Sequence, residues 1–293
     1  MMLRMRILAL HGVGCSANIL RAQLSRFIRA VDDYYDLVFI DGFFDSPRGP
    51  YIDKNHPGPF YSFTKEYSPC SIQEAHRRLR DVITEQGPFD GILGFSQGGS
   101  IALSYLYQQQ CDGFEPDFKF AVFLSSVIPF SADPRTHEKA VKHLCCKQGF
   151  YPESQPQEED QSAVAAPAEA MEEVLSRIFA ASRSVGATPA GYDNQLFFRP
   201  GADPSDVPRV LHPRLLAAED DLLALPTVHA HGRRDSVGMK EMAEAARACC
   251  DPGLSKFLVH SGGHCPPQRP GDVTALVQAV HWAVRHHFET AHL

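Results

Sequence analysis

Gly91-Ile92-Leu93-Gly94-Phe95-Ser96-Gln97-Gly98-Gly99-Ser100-Ile101-Ala102 is the stretch on which the reading of this chain turns. Its opening, Gly91 to Gly94, is short and apolar, as a buried strand is. From Gly98 to Gln110 the spacing becomes helical, with Ile101, Leu103, Tyr105 and Leu106 mostly inward. Between them stands Gly94-Phe95-Ser96-Gln97-Gly98, a G-x-S-x-G element in a strand–turn–helix context, the setting of a nucleophile elbow. A serine there sits in a strained turn with its hydroxyl pushed outward. A Cβ at either flanking glycine would meet the neighbouring strand and helix, and Gly99 keeps the crossing small. The helix N-terminus behind Ser96 offers free N–H groups to developing negative charge. Ser96 is the candidate nucleophile, against the alternative of a structural turn serine.

Outward from this element, apolar runs alternate with helical patterns. Strands are predicted at Arg6–His11, Leu37–Ile40, Lys119–Ser125, Thr227–His231 and Lys256–His260. Gly12 and Gly14 end the first. Ser16 or Asn18 can then cap a helix carrying Leu20, Leu24, Phe27 and Ile28 on one face. Ser71 to Glu74 reads as a capping box opening a helix that stops at Gly87-Pro88, and Val273 to Phe288 is a last helix carrying the single tryptophan, Trp282. Strands that are apolar almost throughout, rather than alternating, predict a parallel sheet covered on both faces, and the strand–helix rhythm predicts a doubly wound α/β fold. A chain of 293 residues is read as one domain. Two segments break the rhythm. Gly42–Pro69 is dense in aromatic residues and proline, and 131–225 is read as a lid or cap insertion. Within the latter, 152–170 is acidic, rich in Pro and Ala and predicted disordered. Glu169–Ala181 then reads as a short helix with Met171, Val174, Leu175 and Ile178 on one stripe.

A serine nucleophile needs a base and an acid. His264 lies in the loop Ser261-Gly262-Gly263-His264-Cys265-Pro266-Pro267 after the last strand, where the order Ser…Asp…His puts the base. A loop or helix-capping histidine is the alternative. Asp235 follows the strand Thr227–His231 and can hold the second imidazole nitrogen. Asp220 and Asp221 are rivals, but they precede that strand and would fall at the opposite end of a parallel sheet. An oxyanion hole would take the backbone N–H groups of Gln97 and of Val13, the latter in the glycine-flanked turn after the first strand. The segment Phe43, Phe44, Tyr51, Phe60, Tyr61 and Phe63, with Phe130 after the fourth strand, can reach the pocket mouth. Phe43, Phe44, Tyr61 and Phe130 are the candidate substrate contacts, suiting a long or aromatic acyl chain, although packing of the loop alone would also account for them.

Composition narrows the function classes. The net charge of −7 argues against nucleic-acid binding, and no apolar run is long enough to span a bilayer. The N-terminal run Ile7–Leu10 is too short for the apolar core of a signal peptide, so a cytoplasmic protein is expected. Eight cysteines form no C-x-x-C pair and are expected as free thiols. His11, His229 and His231 raise the question of a metal, but no H-E-x-x-H or carboxylate cluster accompanies them, and the chemistry above needs no metal or organic cofactor.

The motifs LALHGVGCSANIL, FIDGFF, GILGFSQGGSIA, HGRRDSV and HSGGHCPP together resemble the FSH1-type serine hydrolases, over roughly Arg6–Ser126 and Pro226–Phe288. The resemblance implies an α/β-hydrolase fold with a triad carried on Ser96, Asp235 and His264. As the family includes fungal thioesterases of polyketide gene clusters, it also implies release of a polyketide-type acyl chain from a carrier-protein thioester. A general carboxylesterase stays open, as do an acyltransferase or C–C bond enzyme using the same triad and a non-catalytic binding module. The long segment before Leu225 departs from the family pattern and leaves the pocket open. Arg77, Arg78 and Arg80 on one helix are a candidate basic patch for an acidic carrier, or else a solvated helix face.

Overall fold

The computed structural model describes residues 4–147, 161–187, 203–216 and 222–290. Six strands form one parallel sheet: β1 (Met5–Leu10), β2 (Tyr35–Ile40), β5 (Gly91–Phe95), β6 (Phe120–Leu124), β7 (Thr227–Gly232) and β8 (Ser255–His260), in the order β2-β1-β5-β6-β7-β8. This is the doubly wound α/β architecture. Period-two alternation explains why its strands are apolar throughout. Ile7, Ala9, Leu93, Phe95, Val122, Leu124, Val228 and Ala230 face α1 (Ala17–Gln23), α2 (Ser25–Val31) and α8 (Pro270–Thr290). Leu8, Leu10, Ile92, Ala121 and Phe123 face α3 (Pro69–Gln86), α4 (Gln97–Cys111) and α7 (Val237–Arg247). The chain runs from β1 outward to β2, then returns past β1 to β5 and continues the other way. The topological switch therefore lies between β1 and β5, and a crevice opens there at the carboxyl ends of the strands.

Several expectations are corrected in detail. The first helix is two, α1 and α2, meeting at Leu24, and Ser16 caps α1 by accepting from the Ile19 N–H at 3.3 Å. The box at Ser71–Glu74 lies inside the first turns of α3. Ser68 is the actual cap, with Pro69 at the first helical position, where its missing N–H costs nothing. Glu74 instead holds Arg77 and Arg78 at 2.8 and 2.6 Å and Asp81 holds Arg77 at 2.9 Å, so two of the three arginines are already ion-paired. The β8 strand is not buried on both faces: it is the sheet edge, and Phe257 and Val259 are exposed. Gly42–Pro69 contains a short antiparallel pair, β3 (Phe44–Asp45) and β4 (Tyr61–Ser62).

The insertion carries α5 (Glu138–Lys147) and α6 (Gln161–Ser184). Residues 161–170, predicted disordered, are the first turns of α6 despite Pro167, because this helix packs its apolar stripe of Met171, Val174, Leu175 and Ile178 into the core. The remainder of that stretch, 152–160, lies outside the described residues, as do Asp220 and Asp221. The two limbs of the insertion meet where Phe130 bridges Val210 and Ser131 N–H donates to the Arg209 carbonyl at 2.7 Å. There the buried Arg209 guanidinium donates to the carbonyls of Pro134, Val207 and Pro204 at 3.0, 2.7 and 2.8 Å. At the α6–α7 crossing Gly238 is obligatory for close approach, since a Cβ there would lie 2.6 Å from that of Ala181. All eight cysteines are free thiols. Among the described residues, no helix is long and apolar enough to cross a membrane.

Candidate active site

Ser96 joins β5 to α4 with φ +53° and ψ −116°, a backbone state that costs a non-glycine residue about 1–3 kcal/mol. The turn is held because Ser96 N–H donates to Leu124 at 3.0 Å and the Ser96 carbonyl accepts from Gly99 and Ser100. The glycines permit it by close approach: a Cβ at Gly94 would lie 2.4 Å from the Gly99 Cα, and one at Gly98 2.4 Å from the Leu10 carbonyl. The hydroxyl so presented lies 3.1 Å from His264 Nε2, and His264 Nδ1 lies 2.7 Å from Asp235 Oδ2. Both side chains of that second contact are almost wholly buried, which strengthens it against competing water.

Each partner is fixed from behind. Asp235 Oδ1 accepts from the Ser236 N–H at 2.8 Å, and Ser236 in turn caps α7. The loops after β7 and β8 are laced by Arg233 N–H to His260 and Arg234 N–H to Gly262, both at 2.8 Å. Asp272 in the first turn of α8 accepts from Ser261 N–H and Oγ at 3.1 and 2.6 Å, and these bonds hold its carboxyl below the usual range. The ring of Tyr51 lies 4.6 Å from that of His264 and Phe95 lies 5.2 Å from it, so the imidazole packs against two aromatic rings. Burial and, next, the Asp235 carboxylate raise the Tyr51 phenol above its ordinary pKa.

Val13 and Gln97 line a cavity with Ser96, and Val13 lines a second one with Ser96 and His264. The N–H of Gln97 heads α4 and has no carbonyl within the helix to bond. Its side chain is anchored: Oε1 accepts from Ser62 Oγ at 2.9 Å and from Phe63 N–H at 3.0 Å. The turn bearing Val13 is held by Gly14 N–H to the Tyr61 carbonyl at 3.0 Å. His11 braces it from below: Nε2 accepts from Gly42 N–H at 2.8 Å, so the proton is on Nδ1, which donates to Gly12 at 2.7 Å. Burial pushes His11 down to about 4, a neutral bracket rather than a metal ligand. His229 pairs with Thr227 Oγ1, and among the described residues no group of three His, Cys, Asp or Glu is placed to hold a metal.

The predicted substrate contacts separate. Phe130 lines the cavity at Ser96, stacked on Tyr67 at 4.6 Å. Phe44 lines a neighbouring cleft that also reaches Val13 and Gln97. Phe43 instead packs edge-on against Phe63 at 5.3 Å, and Tyr61 acts through its main chain; neither lines these cavities. Tyr67, Ile128, Ile178, Phe179, Met239 and Met242 complete the apolar wall and were missed. The stripe on α6 and the two methionines directly after Asp235 were the available signals. As a chemical device, the site can take a proton from a hydroxyl, store it on an oriented imidazole, and offer N–H groups to an oxyanion beside an apolar cavity.

The family model for serine hydrolase (FSH1) matches residues 1–276. Esterase alnB of Emericella nidulans is 37% identical over 281 residues, covering 96% of this chain and 97% of that protein. Esterase pigG of Monascus ruber is 28% identical, covering 93% and 88%. Serine hydrolase cnsH of Penicillium expansum is 25% identical, covering 81% and 94%. On a match that runs nearly end to end, the chain belongs to the FSH1 family of serine hydrolases.

Proposed function

We propose that Ser96, His264 and Asp235 form the catalytic relay, and that the enzyme releases an apolar, polyketide-type acyl chain held as a thioester on a carrier protein. The observation that carries the reading is the contact of Ser96 Oγ with His264 Nε2 at 3.1 Å at the floor of an apolar cavity. Ser96 Oγ attacks the acyl carbonyl as its proton passes to Nε2. Asp235 fixes the tautomer and stabilises the imidazolium. The oxyanion is bound by the N–H groups of Val13 and Gln97. As the tetrahedral species collapses, His264 protonates the departing thiol or alcohol. Water, deprotonated by the same imidazole, then attacks the acyl-enzyme and frees the acid.

The acyl side is apolar, walled by Ile128, Phe130, Phe179 and Met242. The cleft leaving past Pro47 and Tyr67 carries Arg48 and Lys65, whose charges suit a leaving group ending in phosphate, as a carrier's phosphopantetheine arm does. A carboxylesterase acting on oxygen esters is the second reading, favoured by the esterase names of the relatives. Comparing kcat/KM for one acyl group on phosphopantetheine, on N-acetylcysteamine and on p-nitrophenol tests the choice. A preference for the phosphopantetheine thioester that disappears in Lys65→Ala supports carrier release. Equal or greater use of the oxygen ester, indifferent to Lys65, supports the second reading.

A further inference from the structure

The cavity at Ser96 has a neighbour. On its far side a second cleft opens between α6 and α7, lined by Val174, Arg177, His212, Arg214, Glu241 and Ala245. Three residues line both spaces: Ile128, Ile178 and Met242. They are thus the partition between the cavity at Ser96, about 40 Å³ and room for only the first carbons of an acyl chain, and a cleft of about 210 Å³. The partition is made of apolar side chains contributed by three separate segments, the one after β6, α6 and α7. Its adaptable member is Met242, an unbranched side chain that can change rotamer without breaking a main-chain bond, whereas Ile178, β-branched on its helix, is the stiff one.

We propose that Ile178 and Met242 set the acyl-chain length that this enzyme accepts, and that chains longer than the cavity pass between them into the α6–α7 cleft. The inference deepens the reading of the Ser96 site given above and rests on it. The character of the far cleft gives the expected substrate a second property. It is rimmed by two arginines, which share Glu173 at 2.7 and 2.9 Å, and by His212 and Glu241. A chain that emerges there meets hydrogen-bonding groups, so an oxygenated far end is better received than a bare methyl.

The test is a chain-length profile. Wild type, Ile178→Ala and Met242→Ala are assayed on straight-chain p-nitrophenyl esters from acetate to palmitate, after thermal melting and stoichiometric fluorophosphonate labelling have shown each to be folded with an active serine. The quantity read is the ratio of kcat/KM for long to short esters. Each truncation is expected to raise it about tenfold or more, the discrimination that one or two methylenes command in an apolar pocket. A folded, labelled variant with the wild-type ratio overturns the proposal. An enlarged cavity alone would also raise the ratio, so a plug separates the two cases. Ala245→Phe fills the far cleft and touches no part of the Ser96 cavity. Added to Ile178→Ala it is expected to return the ratio towards wild type, and a double variant that keeps the raised ratio overturns the passage. If wild type takes up the fluorophosphonate but cleaves no ester or thioester, it is the hydrolytic reading that has failed.

Discussion

The carboxyl edge of the sheet and the described part of 131–225, the proposed cover, are held together in opposite ways. At the edge, Ser96, Asp235 and His264 sit on turns shorter than five residues beyond their strands, each backed by main-chain bonds to a neighbouring loop. In the proposed cover, α6 rests on apolar contacts and on exposed ion pairs of Glu172 with Lys147 and of Glu173 with Arg214, while the Arg209 guanidinium gathers three carbonyls of the flanking segments. A reacting geometry that tolerates little displacement is built from bonds that cost free energy to break. The surface proposed to admit substrate is built largely from apolar side-chain contacts.

The contrast predicts unequal sensitivity. Ser96→Ala should lower kcat by about 10⁶-fold and abolish covalent labelling by a fluorophosphonate; a variant that still labels would move the nucleophile elsewhere. Asp235→Asn should lower kcat by about 10⁴-fold while the protein stays folded, since the imidazole loses its tautomer rather than its place. A fall of less than tenfold would show that this carboxylate does not orient the base. In the cover, Arg209→Met strands the buried Val207 carbonyl and two part-buried ones and should cost about 3 kcal/mol in denaturant unfolding. Limited proteolysis should then begin within the insertion while Ser96 in the uncut protein still labels. Simultaneous loss of labelling and cover would mean that the two regions unfold as one.

The smallest effect is one of pH. Burial lowers His11 to about 4 and His76 and His229 to about 3, against an ordinary 6.5. The unfolded chain takes up these protons from 6.5 downward while the folded one refuses them. Stability is therefore full above 6.5 and falls as the pH drops towards 4. All three brace β-strand ends or the helices against them. The melting temperature should decline between about pH 7 and pH 5, more gently in His76→Gln. A flat profile would mean that these rings are already charged or solvated.

Much of the edge is legible in the sequence because its requirements are local. The glycines at 94 and 98 are dictated by backbone contact, and the strand-end positions of Asp235 and His264 follow from chain order. The cover is less legible because its requirements are distant. Nothing near Pro167 in sequence announces that a proline-bearing helix will be stabilised by a core built from α5 and α7. Arg209 looks like any surface arginine until the carbonyls of 134, 204 and 207 surround it. The aromatic segment divides along the same line. Its density marks it as important, but only the fold distinguishes Tyr51, laid on His264, from Phe43, laid on Phe63.

The anchoring of the Gln97 side chain by Ser62 and Phe63 has a consequence for anyone recombining this enzyme with its relatives. The residue that follows the nucleophile and the strand that receives its amide lie 35 positions apart, yet they are one part. A chimera whose junction falls between them inherits a serine turn from one parent and its brace from the other. A donor segment lacking the hydroxyl at position 62 would leave the amide oxygen one bond short behind an otherwise intact elbow. The unit of exchange is therefore residues 61 to 100 together, and a library that respects that boundary should retain more active members than one cut at the elbow motif alone.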